Sequence, residues 1–217
     1  MPNHRISLSL LTATIALSGF FALAQTAKRR AATPAPHKPT PVEPTGPTAL
    51  IDTTQGRLTC RLYEKEAPEL TTNFIALATG AQDWNAPYTG AVQHNKPFFD
   101  ATALFGATDA IAGGDRLGGG YGAAGDPLPV APSKTLIFDR PGRLAMSIRE
   151  GKVSRLFFFI TTHADSEMDA GPAPGSNPRG AIFGQCDDAS IQTAAAISHQ
   201  LLTTDNHPQT PIAINKI

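Results

Sequence analysis

Apolar and polar positions change period several times along this chain, and each change marks an element. Ala49 to Thr54 is a short β-prone run and Gln55-Gly56 a turn. "RLTCRLY" then puts Leu58, Cys60 and Leu62 on one face and Arg57, Thr59 and Arg61 on the other. A period of two predicts a half-buried hairpin. "APELTTNFIALATG" switches to a helical stripe of Leu70, Phe74, Leu77 and Ala78. Pro68 suits its first turn, Glu69 complements the helix dipole and Gly80 ends it. Short segments follow at Pro97 to Phe99, Arg143 to Met146, Leu156 to Thr162 and Ala181 to Cys186, the third holding the buried run Phe157-Phe158-Phe159. Between them, Phe99 to Asp115 ends a short apolar run in a Gly-Gly-Asp turn, with no basic residue and no amide. Ala189 to Ile197 reads as a second short helix and "PIAINKI" as a closing strand. Many short strands with only two helices predict a closed β-barrel.

The first 47 residues follow neither period. Arg5 precedes a mostly apolar run from Ile6 to Leu23, and Ala22-Leu23-Ala24 has the small-x-small form of a signal-peptidase site. We read residues 1–24 as a signal peptide cleaved after Ala24, so that the protein is exported to the periplasm or secreted. An uncleaved anchor is the rival, opposed by six Ser, Thr and Gly residues in the run and by Lys28-Arg29-Arg30 on the exported side. Residues 25–47 hold six prolines between Pro34 and Pro47 and almost nothing apolar, as in a semi-rigid tether. The folded domain is expected over 48–217.

Composition narrows the function classes. The 217 residues suit one domain plus unstructured sequence. Nineteen glycines and nineteen prolines in a chain only 17% charged point to many turns. A formal net charge of zero argues against nucleic acid or an anionic membrane as the main partner. Cys60 and Cys186 are the two cysteines. An oxidising compartment invites a disulfide between them, and two buried thiols are the alternative. "GYGAAG" (120–125) matches a dinucleotide pattern, but Asp126-Pro127-Leu128-Pro129 follows where a phosphate-capping helix must begin. Asp165, Glu167 and Asp169 alternate like the start of a calcium loop, with the glycine displaced and the terminal glutamate missing. The six histidines have no metal-ligand spacing and no serine sits in a GxSxG elbow. Neither a metal nor a cofactor is expected.

The order of segments resembles the cyclophilins, eight-stranded barrels that isomerise peptidyl-proline bonds. The resemblance runs from about Leu50 to Ile217 through the Gly56 hairpin, "APELTTNFIALATG", "KPFFDAT", "GGD", "FDRPGRLAM", "FFIT", "IFGQ" and the last strand. It implies an all-β fold, a closed antiparallel barrel of about eight strands with two short capping helices. It also implies proline-containing polypeptide segments as partners, and we expect a monomer.

The site departs from the family pattern. Cyclophilins carry FHRxxxxFMxQGGD, whose arginine is the main catalytic group. Here Thr102 and Gly113 are two residues closer than usual, and nothing between them is Arg, His, Met or Gln. Phe105 and Gly106 stand about where His and Arg belong, and Ala112 takes the glutamine's place. From Leu144 to Thr161 the match is ungapped. Ile148 replaces an asparagine, Phe157 a glutamine and Ser147 the usual alanine, while Phe159 keeps the aromatic floor of the proline pocket. Glu167 falls at a bulky aromatic position, Met168 at a leucine, and an insertion from Ala170 to Pro178 leaves Gly180 near the usual histidine. The peptide-binding residues implied are therefore Ala112, Gly120, Ser147, Ile148, Phe157, Phe159 and Met168. No catalytic group is retained, and Arg149 and Arg155 are the substitutes within reach by sequence. Three readings follow: a weak isomerase acting on exported proteins, a non-catalytic module holding proline-containing segments, or a structural domain whose groove is filled by its own side chains.

Overall fold

A computed structural model describes residues 41–107, 109–117, 127–169, 178–200 and 212–217. Residues 1–40, with the signal segment and most of the tether, lie outside the described residues, as do Gly120 with its glycine loop and positions 170–177 of the insertion.

Eight strands close into an antiparallel barrel: β1 (Thr48–Thr53), β2 (Gly56–Leu62), β5 (Ala103–Ala107), β6 (Ala110–Asp115), β7 (Arg143–Arg149), β8 (Lys152–Thr161), β9 (Gly180–Cys186) and β10 (Ile212–Lys216). Around the barrel they run β1-β10-β5-β6-β8-β7-β9-β2. The hairpin predicted at Gly56 is β1–β2, with Thr53 paired to Gly56 and Leu58, Cys60 and Leu62 buried. Helix α1 (Pro68–Thr79) buries Leu70, Phe74, Leu77 and Ala78 and ends at Gly80 in the left-handed conformation. Helix α2 (Asp188–Ser198) is capped by Asp187, whose carboxylate accepts from Ser190 N–H. A further two-stranded ribbon, β3 (Trp84–Asn85) with β4 (Val92–Gln93), lies between α1 and the barrel strand β5 in sequence.

Two expected features are corrected. Pro97 to Phe99 is not a strand: Phe98 and Phe99 are both buried, their rings 5.3 Å apart, whereas a strand would send them to opposite faces. Phe98 N–H instead donates to Leu77 O at the end of α1. Nor is Gly-Gly-Asp a turn, since Gly113, Gly114 and Asp115 belong to β6. Gly114 has φ +92°, and a Cβ on it would collide with the Leu156 carbonyl oxygen. The two strands approach here because β8 carries extra residues: Met146 faces Phe158 but Ile148 faces Val153. Ser154 Oγ fills the resulting bulge by accepting from Leu156 and Phe157 N–H.

Phe74 of α1 closes the core, its ring 5.0–5.7 Å from those of Phe99, Phe158 and Phe183. Beside the core is a charge the sequence did not announce. Arg143, 2% exposed, donates to Asp139 Oδ1 at 2.6 Å and to Tyr63 Oη at 2.5 Å. Tyr63 Oη in turn donates to Val42 O, and Arg140 pairs with Glu43 at 2.7 Å, so residues 42–43 rest on the barrel.

The cysteine alternatives are decided in favour of the disulfide. Cys60 and Cys186 are direct cross-strand partners on β2 and β9, buried, with their sulfurs bonded. They close a loop with a sequence separation of 126, so the chain-entropy model gives about 5 kcal/mol of stabilisation. Reduction should therefore lower the urea midpoint markedly, and equal midpoints with and without reductant would contradict the assignment. Asp139→Ala leaves the buried Arg143 guanidinium without its carboxylate and should cost about 3–5 kcal/mol by the same measurement.

Candidate proline-binding face

Partners directly opposite in a β-ladder project to the same face. Phe105 pairs with Ala112, Ala112 with Phe159, and Phe159 with Ala145, so these four residues make one row across β5, β6, β8 and β7. The alternate residues take the opposite face: Ile111, Gly113, Phe158 and Ile160 pair with one another, and a Cβ on Gly113 would meet the Phe158 and Leu104 side chains. Gly106 pairs with Ile111 and shares that face. A Cβ on Gly106 would lie 3.1 Å from Ile197 O and 3.2 Å from Ser198 Cα, against the end of α2. Of the two residues that stand about where His and Arg belong, the one facing Ala112 and Phe159 is thus Phe105. It is 8% exposed and apolar.

The other expected residues divide between two neighbourhoods. Phe157 (9% exposed) lies one alternation along β8 from Phe159 (8%). The Arg149 guanidinium sits 5.4 Å from the centre of the Phe157 ring, which brings one candidate cation onto one candidate peptide residue. Arg155 is held towards α1: Asn73 Nδ2 donates to its carbonyl at 2.8 Å and its Nη1 lies 3.5 Å from Asn73 Oδ1. Ser147 pairs with Gly180, and both Ser147 and Ile148 are half-buried. Ile148 N–H donates to Arg179 O at 2.9 Å, so this main-chain donor is already engaged. Met168 is half-buried against the core in the 3₁₀ turn Ser166–Met168, and Arg179 N–H donates to its carbonyl.

Sequence reasoning overlooked two residues. Phe138 stacks on Phe159 with centroids 5.9 Å apart and planes inclined by 13°. It opens the FDRPGRLAM segment, but nothing in that segment's spacing says that its ring meets Phe159, because it precedes β7 in an irregular stretch. Arg116 follows β6 directly and so stands near the row in sequence, yet its Nη1 donates to Phe98 O and Asp100 O and its guanidinium lies 4.4 Å from the Trp84 ring centre. Burial pulls its pKa below the ordinary arginine value, opposed by Asp100. An apolar crevice of about 310 Å³ between α1 and β1, reaching Leu50, Ile75 and Ile217, shares none of the expected peptide residues. Among the described residues no cluster of His, Cys, Asp and Glu could hold a metal ion.

Comparison with known proteins agrees with this architecture. The family described as "Cyclophilin type peptidyl-prolyl cis-trans isomerase/CLD" matches residues 48–217. The chain is 27% identical over 164 residues to peptidyl-prolyl cis-trans isomerase B of Streptomyces anulatus, covering 75% of this chain and 87% of that protein. It is 30% identical over 168 residues to a peptidylprolyl isomerase of Schizosaccharomyces pombe, covering 76% of this chain but 31% of that longer protein. A crystal structure of a Cryptosporidium parvum cyclophilin-type isomerase, obtained in the presence of the dipeptide Ala-Pro, superposes with a TM-score of 0.58 at 23% identity, covering 78% of this chain and 96% of that one.

The facing of β5 generates a paired test. Phe105→Arg with Ala112→Gln places a guanidinium and an amide on the Phe159 row and should raise proline isomerisation by about 10²-fold. Gly106→Arg, although one residue away, drives the charge under α2, so it should leave the rate unchanged and cost about 3 kcal/mol of stability. A rate gain from the Gly106 substitution would refute the assigned facing.

Proposed function

Because the chain belongs to the cyclophilin-type peptidyl-prolyl cis-trans isomerase family, we propose that its barrel face engages proline-containing segments of exported polypeptides and isomerises them slowly, the protein acting as a monomer. Isomerisation must overcome a barrier of about 18–20 kcal/mol that arises from amide resonance. A donor aimed at the prolyl nitrogen favours the twisted, pyramidal state in which that resonance is lost. The single observation that carries the reading is the Phe105–Ala112–Phe159 row: the aromatic floor is kept, and the two positions beside it are apolar. Losing one preorganised donor typically costs about 10²- to 10³-fold in rate. Arg149, resting on Phe157, is the cation best placed to make up part of that loss. Export rests on the sequence of residues 1–24, with cleavage after Ala24 and a tether from residue 25 that ends before Val42, since Val42, Glu43, Gly46 and Pro47 are bonded to the barrel domain.

A second reading, binding without turnover, is favoured by the retained Phe159 and by the apolar Met168 at the family's leucine position, because an apolar pocket holds a proline ring without assisting its isomerisation. The engaged Ile148 N–H weighs against it by removing one main-chain donor from any bound peptide.

A protease-coupled isomerisation assay decides between them. The expected rate is about 10²-fold below that of a cyclophilin with the complete FHR motif, and it should fall further in Arg149→Ala but not in Arg155→Ala. A background rate, with an Ala-Ala-Pro-Phe peptide still shifting the NMR signals of Phe159, would establish binding alone. A rate equal to that of a complete cyclophilin would overturn the proposal.

A further inference from the structure

Phe159 and Met168 come from two pieces of chain joined by no ladder between them. One is the middle of β8; the other is the 3₁₀ turn Ser166–Met168. Phe138 connects them. Its ring stacks on the Phe159 ring, and its main chain is bonded twice to the turn. Asp165 N–H donates to Phe138 O at 2.9 Å, and Phe138 N–H donates to Asp169 Oδ1 at 2.8 Å. These two bonds bracket Met168 in the chain. Gly180 leaves room for the stack: a Cβ there would lie 2.5 Å from Phe159 Cζ and 2.8 Å from Phe138 Cζ. The absence of a side chain near the family's usual histidine is thus matched by two phenyl rings that fill the space.

We infer that Asp169 is a positioning residue, whose carboxylate acts through Phe138 to hold the pocket-floor ring of Phe159 and the Met168 turn as one unit. The inference rests on the proline-binding role proposed above. Of the two bonds on Phe138, the one from Asp165 is main chain to main chain and does not depend on side-chain identity. The bond to Asp169 is charge-assisted and can be removed by a substitution or weakened by a proton. Phe138 is buried and Asp169 half-buried, so both act without having to touch the ligand. Burial raises the Asp169 pKa above the ordinary aspartate value, Phe138 N–H opposes that rise, and the charged groups around the carboxylate are Asp139, Arg143 and Asp165.

The test uses the intact chain and two NMR reporters, the Phe138 amide and the Met168 methyl group, followed from pH 7 to pH 3.5. Both are expected to titrate together with one midpoint, above that of an ordinary aspartate, and Asp169→Asn should abolish the common titration. Asp169→Ala should weaken binding of an Ala-Ala-Pro-Phe peptide about tenfold while the melting temperature stays within a few degrees. Asp169→Asn keeps the shape of the side chain, so the titration remains decisive if the alanine variant does not fold. A Met168 methyl signal that stays still while the Phe138 amide titrates would overturn the inference, as would a folded Asp169→Ala protein binding the peptide as tightly as the wild type. If the wild type binds no proline peptide, the functional proposal falls instead, and the common titration alone then decides for or against the role of Asp169.

Discussion

Closure of the sheet on itself leaves each side chain of a strand two destinations, the core or the outer face, and strict alternation fixes which it takes. The proposed proline-binding face depends on that constraint. Once Ile111, Gly113, Phe158 and Ile160 are committed to the interior, Ala112 and Phe159 must face outward, and the ladder carries Phe105 with them. Gly106 is committed inward by the same rule, beneath the last residues of α2. With ten residues between Thr102 and Gly113 the barrel closes, and the side chain on the Ala112–Phe159 row is the phenyl ring of Phe105.

Keeping the barrel closed requires local departures from regular geometry, with register shifts in the β1–β10, β5–β6, β7–β8 and β7–β9 pairings. The extra residues of β8 form a bulge held by Ser154, and the Leu156 carbonyl then approaches β6 so closely that Gly114 has no room for a Cβ. Elsewhere the closure is covalent and ionic. The disulfide ties β2 to β9, and the buried Arg143 links Asp139 to Tyr63 and so to the segment that enters the barrel. A buried ion pair contributes little net stability over an apolar replacement, but breaking one half of it is costly. Its effect here is to hold the stretch before β7 in a single arrangement, and that stretch contains Phe138.

The proposed function sets a family scaffold against a changed face: it assigns the proline ring to the apolar Phe159 and Met168, while Phe105 and Ala112 in the row beside Phe159 carry no charge. Binding and turnover need different things from such a face. An apolar floor stabilises the ring in either isomer, whereas only a group that gains strength as the amide twists accelerates the exchange. The Phe138 ring stacks on that of Phe159, and its main chain is bonded to Asp165 and Asp169 on either side of Met168.

Much of this was legible in the chain itself. Period-two alternation at Leu58, Cys60 and Leu62 and the helical stripe from Leu70 to Ala78 determine the hairpin and α1, because burial of one face is a local property. Motif order identified the barrel, since it is a statement about which residues are present and in what sequence. The pairing of Cys60 with Cys186, the burial of Arg143, the inward turn of Gly106 and the stacking of Phe138 on Phe159 were decided only by tertiary structure. Each depends on register between strands or on contacts made across a long stretch of chain, and no local spacing carries that information.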